Sequence, residues 1–140
     1  MQDKLNIIFN AFAGDSEINK YCDEEDKNKN LIELSKSICN KIEEYEKVGD
    51  CIFEEILIDN KSVGYLFCWK NLLVSFCVNK KYRTTENLKQ VFETIRNKFE
   101  SDFICFMWKR NTRAINWLKK NGMYETETNI DNITILKLCQ

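Results

Sequence analysis

The sequence predicts a mixed α/β (α+β) fold. An antiparallel meander runs into a β-α-β crossover, and helices cover both faces of one mixed sheet. Three observations carry that reading. The apolar spacing is helical up to about residue 49 and strand-like from residue 51. Three β-rich runs between residues 51 and 78 are joined by short polar turns, which permit only antiparallel pairing. A helical stripe over 86–99 then separates the run at 72–78 from the run at 103–108. Those two strands are therefore parallel, with a right-handed crossover.

In chain order, Leu5, Ile8, Phe9 and Phe12 recur at helical spacing and define an amphipathic helix over 3–12, stopped by Gly14 and Asp15. Residues 23–30 (DEEDKNKN) are expected to be a charged, solvated turn. Leu31, Leu34, Ile38, Ile42 and Tyr45 mark a second, longer helix ending near Gly49. Residues 51–58 (CIFEEILI), 62–69 (SVGYLFCW) and 72–78 (LLVSFCV) form the meander, turning at Asp59-Asn60-Lys61 and at Lys70-Asn71. Leu88, Val91, Phe92, Ile95 and Phe99 give the crossover helix its apolar stripe. Residues 103–108 (FICFMW) read as a buried strand, and 112–120 as a helix ended at Asn121-Gly122. Strands near 123–128 and 132–138, joined at Asp131-Asn132, close the chain. No repeat or linker divides it. Residues 1–140 are expected as one domain, helical over 1–49, with the sheet and two further helices over 50–140.

Composition narrows the function classes. Basic and acidic residues number 21 and 22, for a net charge of −1. That balance supplies no field for nucleic acid or an anionic membrane, so neither is expected as a partner. No apolar run reaches the roughly 18 residues that span a bilayer, and the first residues lack the basic and apolar regions of a secretory signal. The seven cysteines never form a C-x-x-C pair and the chain has no histidine. They are read as reduced thiols acting as small hydrophobes, with no metal site, in a reducing and hence cytoplasmic compartment. Without histidine, mechanisms that use an imidazole base are excluded.

Residues 111–123 (NTRAINWLKKNGM) carry a more specific signal. An Asn opens a helix after a strand, Ala114, Ile115 and Leu118 form its apolar face, and a Lys-x-Gly stop is followed by an apolar residue. This segment, with the element order before it, resembles the GNAT superfamily of N-acetyltransferases from the family's second strand onward, over about residues 50–138. The family's first strand is not evident.

The resemblance implies a cofactor turn at Val78-Asn79-Lys80-Lys81-Tyr82-Arg83-Thr84-Thr85-Glu86-Asn87-Leu88. In the family, glycines there let backbone N–H groups approach the pyrophosphate of acetyl-CoA at a helix N-terminus. Arg83 stands at the family's Arg/Gln position, Glu86 at its first glycine and Leu88 at its second. Glu86 would repel phosphate by about 3 kcal/mol per like-charge pair at about 5 Å and an effective dielectric near 20. Thr84 or Thr85 can cap the helix without a ligand. Leu118 stands where many members carry the tyrosine that protonates the departing thiolate. Glu54 or Glu55 is a candidate general base, and Lys109, Arg110 and Arg113 form a basic cluster near the expected cofactor mouth.

Small GNAT-like proteins of tailed bacteriophages look similar. That likeness implies a catalytically degenerate structural or assembly component of a virion, not an enzyme. It would bind no cofactor and would sit among protein partners in a larger, oligomeric assembly, in the host cytoplasm and then the virion. The alternative is an acetyl-CoA-dependent N-acetyltransferase acting on an amine. It would grip the cofactor between splayed strands at 72–78 and 103–108, and its cofactor-binding residues would be Val78, Arg83, Thr84, Thr85 and Asn111.

Overall fold

A computed structural model describes residues 2–127 and 130–140, the side chains of Gln2 and Asp3 excepted. Helix α1 (Gln2–Phe12) leads through two 3-10 turns, Ile18–Lys20 and Glu24–Asp26, to helix α2 (Leu31–Val48). The meander follows as β1 (Cys51–Ile58), β2 (Lys61–Trp69) and β3 (Leu72–Val78). A 3-10 turn at Lys80–Tyr82 leads into α3 (Thr85–Asn97), then β4 (Phe103–Trp108), α4 (Thr112–Lys120), β5 (Tyr124–Thr126) and β6 (Ile133–Leu138). The six strands form one sheet in the order β1-β2-β3-β4-β6-β5. The β3–β4 pair is parallel and the other neighbours are antiparallel. The mixed sheet and its crossover are as the periodicity predicts. The strand expected over 123–128 is shorter, because only Tyr124, Glu125 and Thr126 find partners on β6; residue 128 lies outside the described residues.

Local chemistry explains the helix ends. Asn30 caps α2 by accepting from the Glu33 N–H at 2.9 Å, and the Glu33 carboxylate accepts from the Asn30 N–H, closing a capping box. Thr84 caps α3, accepting from the Asn87 N–H at 3.2 Å, and Asn111 caps α4, accepting from the Ala114 N–H at 3.3 Å. Gly122, at φ +103°, takes the left-handed turn that stops α4.

The sheet separates two apolar layers. On one face, Leu66, Cys68, Leu73 and Phe103 pack with Val91, Phe92 and Ile95 of α3 and Ile115 and Leu118 of α4. On the other, Tyr65, Phe67 and Cys77 pack with Ile8, Ala11 and Phe12 of α1 and Leu34 and Ile42 of α2. The alternation Tyr65/Phe67 against Leu66/Cys68 along β2 feeds both layers, as a strand covered on both faces requires. At Gly64, opposite Val78, the two backbones run so close that a Cβ would collide with the Cys77 carbonyl.

One local expectation needs refining. Residues 23–30 form a mostly exposed turn, as expected, except at Asp26. Asp26 is fully buried, paired with Lys29 (2.7 Å) and Lys41 (2.9 Å) and bonded by the Ser37 hydroxyl (2.8 Å). Its neighbours' charges stay at the surface, and Asp26 alone is drawn inside by its cations and the Ser37 hydroxyl.

Candidate functional site

The site begins with a failure of pairing. β3 and β4 match only at Leu72–Ile104 and Leu73–Cys105. Beyond these residues both strands continue without meeting. The cause lies on the other side of β3. Its register with β2 runs Phe67–Ser75 and then Cys68–Leu73, so Val74 is an extra residue and β3 carries a bulge. A bulge bends and over-twists its strand, which turns the last part of β3 away from β4. From Val74 on, the peptide groups that face β4 have no strand partner among the described residues.

The gap opens a cleft of about 550 Å³ that passes through the sheet. On the α2 side it is walled by Phe12, Tyr21, Ile38, Tyr45 and Tyr65. On the other it reaches Leu88 of α3 and Ala114 and Trp117 of α4.

Residues 15–26 form a strap across the open end. Asp15 accepts from Arg83 (2.9 Å) at the end of β3's turn and from Arg113 (3.3 Å) on α4. Asp23 accepts from the Trp108 indole N–H at 2.8 Å and from Lys41 at 2.6 Å. Arg110 donates to the carbonyls of Lys20 and Cys22 and pairs with Glu24 at 2.8 Å. Arg113 also stacks on Tyr21, and Arg110 on Trp108. Arg110 and Arg113 thus hold the strap; Lys109 stays exposed.

The titratable groups are set by these contacts. Burial pushes the Asp15 carboxyl up, but hydrogen bonds from Arg83 and the Glu17 N–H, with the charges of Arg83 and Arg113, more than offset it and hold it below the usual range. Asp23 is likewise pushed up by burial and brought lower by Lys41 and Trp108. Asp23, Glu25 and Asp26 bring carboxylate oxygens within 4.8 Å of one another. The Lys41 ammonium already sits among them at 2.6, 2.9 and 2.9 Å. Burial raises the three thiols lining the cleft, Cys22, Cys77 (to about 11) and Cys105 (to about 12), so all are protonated at neutral pH. Tyr65 and Ser75 share a hydrogen bond of 2.8 Å, and burial keeps the Tyr65 phenol protonated.

Of the residues implied by the family likeness, Val78, Arg83 and Asn111 line the cleft, whereas Thr84 and Thr85 stand outside its wall. Arg83 is held by Asp15 and donates through Nε to the Val78 carbonyl at 2.7 Å. Glu86 is exposed on the first turn of α3. Leu118 is completely buried in the core, and its neighbour Trp117 meets the cleft. Glu54 and Glu55 point to opposite faces: Glu54 pairs with Lys98 at 2.7 Å, and Glu55 lies in a shallow groove with Asn6 and Asn10. Neither reaches the cleft. The strap residues Tyr21 and Asp23 and the bulge residue Ser75 belong to the site without having been singled out. The signal available in the sequence was the aromatic and acidic content of residues 21–26 between two helices, which also suits an ordinary turn.

No protein-family model matches the chain, and no curated protein sequence matches it. Solved structures do share its fold. PH1933 from Pyrococcus horikoshii OT3 superposes with a TM-score of 0.68 at 15% identity, over 100% of this chain and 92% of its own. The PaiA N-acetyltransferase from Thermoplasma acidophilum, in complex with coenzyme A, gives 0.60 at 15% identity, over 97% of this chain and 90% of its own. The microcin C7 self-immunity acetyltransferase MccE, in complex with acetyl-CoA and AMP, gives 0.66 at 9% identity, over 99% and 86%. At these identities the likeness shows the fold, and the fold is GNAT-like. The expectation of a catalytically degenerate virion component is overturned at this point. The fold is shared with acetyltransferases that hold coenzyme A or acetyl-CoA, and none of these three is a phage protein. The same finding withdraws the ground for expecting no cofactor. Among the described residues no helix is long and apolar enough to cross a membrane.

Proposed function

We propose that the chain is an acetyl-CoA-dependent N-acetyltransferase that passes an acetyl group to an amine. The observation that carries this reading is the gap between β3 and β4, opened by the Val74 bulge and leading through the sheet. A passage with two ends lets a thioester donor enter from one face and an amine from the other, which suits direct transfer.

The residues fit the cofactor unequally along its length. The unpaired peptide groups of β3 after Val74 fit an amide-bearing pantetheine arm, which would add as a strand. At the phosphate end, α3 has no glycine turn. The N–H groups of Thr85 and Glu86 nonetheless have no acceptor among the described residues, and Lys80 and Lys81 are exposed beside them. Glu86 weighs less against phosphate than the sequence implies. It is solvent-exposed, so at about 5 Å the repulsion falls toward roughly 0.8 kcal/mol in a water-like dielectric.

When bound, acetyl-CoA supplies an activated thioester. The chain's own residues orient the partners and exclude water. Trp117 and Phe76, in tilted contact at 5.6 Å between ring centroids, shape the wall on the α4 side. The Ser75 and Tyr65 hydroxyls, on the α2 side, can donate one hydrogen bond into the cleft; they are not at the α4 position of the family's tyrosine, which Leu118 occupies in the opposite layer. The protonated thiols of Cys22, Cys77 and Cys105 argue against an acetyl-cysteine route.

Calorimetric titration with acetyl-CoA tests the reading. The expected dissociation constant is below about 50 μM, near −6 kcal/mol. Absence of binding at millimolar cofactor would overturn it.

A further inference from the structure

We propose that the acceptor is a small amine with an apolar, aromatic-sized body, seated on the α2 side of the cleft with its nitrogen toward Asp23. It docks as the ammonium and releases one proton to solvent. The neutral nitrogen then forms the C–N bond as the thioester C–S bond breaks, and coenzyme A leaves as the thiol with the second proton. This rests on the transferase reading and narrows its substrate class.

The walls on that side are Phe12, Tyr21, Ile38 and Tyr45, which favour an apolar body over a polyamine or a sugar. Among the described residues lining the cleft, Asp23 is the one carboxylate. The cations that line it are already engaged: Lys41 with Asp23, Glu25 and Asp26, and Arg83 and Arg113 with Asp15. Around Asp23, the carboxylates of Asp23, Glu24, Glu25 and Asp26 are balanced by Lys27, Lys29, Lys41 and Arg110, so selectivity there rests on hydrogen-bonding capacity and not on net charge. An ammonium can donate to the remaining acceptor sites of the Asp23 carboxylate, which an anionic acceptor cannot. Each Asp23 oxygen accepts one hydrogen bond and keeps capacity for another.

The strap decides between a small amine and a polypeptide N-terminus. It crosses the ends of both β3 and β4 and is pinned at Arg83, Trp108, Arg110 and Arg113. An extended chain would have to displace the Asp15, Asp23 and Glu24 contacts to lie in the cleft. A single-ring amine would not.

Trp108 and Trp117 line the cleft, so their fluorescence reports occupancy without turnover. Titration with 2-phenylethylamine is expected to change it saturably, while spermidine and a short glycine-initiated peptide do not. Asp23→Asn keeps an oxygen for Trp108 and should weaken phenylethylamine binding at least tenfold, about 1.4 kcal/mol. The same variant should leave calorimetric acetyl-CoA affinity within about twofold. Tyr21→Ser, which removes an apolar wall but no charge, should weaken phenylethylamine binding with the same indifference to acetyl-CoA. Equal or tighter binding of spermidine or the peptide overturns the proposal, as does unchanged amine affinity in both variants. Failure of acetyl-CoA to bind while phenylethylamine binds through Asp23 would overturn the transferase reading and support the amine site.

Discussion

On the α3–α4 side of the sheet, the cleft wall of Leu88, Ala114 and Trp117 is backed by the apolar core that holds Leu118, Phe92 and Phe103, none more than 2% exposed, with Phe99 and Phe103 stacked at 4.2 Å. On the opposite side it is closed by the strap, whose attachments are Asp15, Asp23, Glu24 and Asp26 with their arginines and lysines. The first wall is held by removal of apolar surface from water, which neither salt nor mild acid disturbs. The second is held by charge, part of it buried, and answers to both. A two-sided site built this way has one rigid jaw and one conditional jaw.

Substitutions can break that contrast, beginning with the rigid side. Leu118→Ala removes a fully buried side chain from the core and is expected to cost about 3–5 kcal/mol, read as a lower urea midpoint with an unchanged slope. If the loss is under about 1 kcal/mol, the apolar wall is not the rigid one. Asp26→Ala attacks the conditional side by stripping Ser37, Lys29 and Lys41 of a shared acceptor. It should cost about 1–3 kcal/mol. Amide exchange should accelerate over residues 15–30 while α3 and α4 keep their protection.

Acid sharpens the same comparison without mutation. Asp15, Asp23 and Asp26 are all held below their ordinary pKa in the folded chain. Burial alone would raise each of them, and their cationic and hydrogen-bonding partners reverse that. Their stabilisation is complete above the unfolded value of about 3.9 and disappears as pH falls through the folded values. Urea midpoints should therefore drop below about pH 4, with the strap losing exchange protection before the α3–α4 layer. Lys41 works in the opposite sense. Burial lowers it, but three carboxylates raise it above its ordinary value. Its contribution is intact below about pH 10 and is lost only as pH rises through the folded value.

Asn111→Ala removes the α4 cap at the junction of the two walls and is expected to cost about 1 kcal/mol in thermal or urea unfolding. The smallest effect belongs to Arg110→Gln. Its pair with Glu24 is largely solvated, so the loss should be at most about 1 kcal/mol and should shrink further in high salt.

The sequence made the rigid jaw legible because apolar periodicity is local. Val91, Phe92 and Ile95 announce a helix face, and Asn111 with Gly122 announces where α4 begins and ends. The conditional jaw was illegible for the opposite reason. Asp15 finds Arg113 across 98 residues and Asp23 finds Trp108 across 85, and no spacing rule connects them. Within 23–30, the burial of Asp26 was hidden because charge suggests water until a partner is known. The same limitation misjudged function. Glu86 and Leu118 look disabling when motifs are compared position by position. The cleft takes its shape from main chain that no motif encodes.

The bulge at Val74 has one more consequence. A strand ladder is a two-stroke rhythm, and an extra residue inserts a syncopation that every later residue inherits. Val74 and Ser75 both fall on the α2 side, and Phe76 and Cys77 follow in the displaced beat. That is how Ser75 meets Tyr65, and how the Cys77 thiol reaches the Ala11 carbonyl at 3.4 Å. Residues 75–78 can therefore tolerate replacement far better than a change in length. Deleting a single residue there would cancel the bulge, return the strand to simple alternation and leave β3 free to zip along β4.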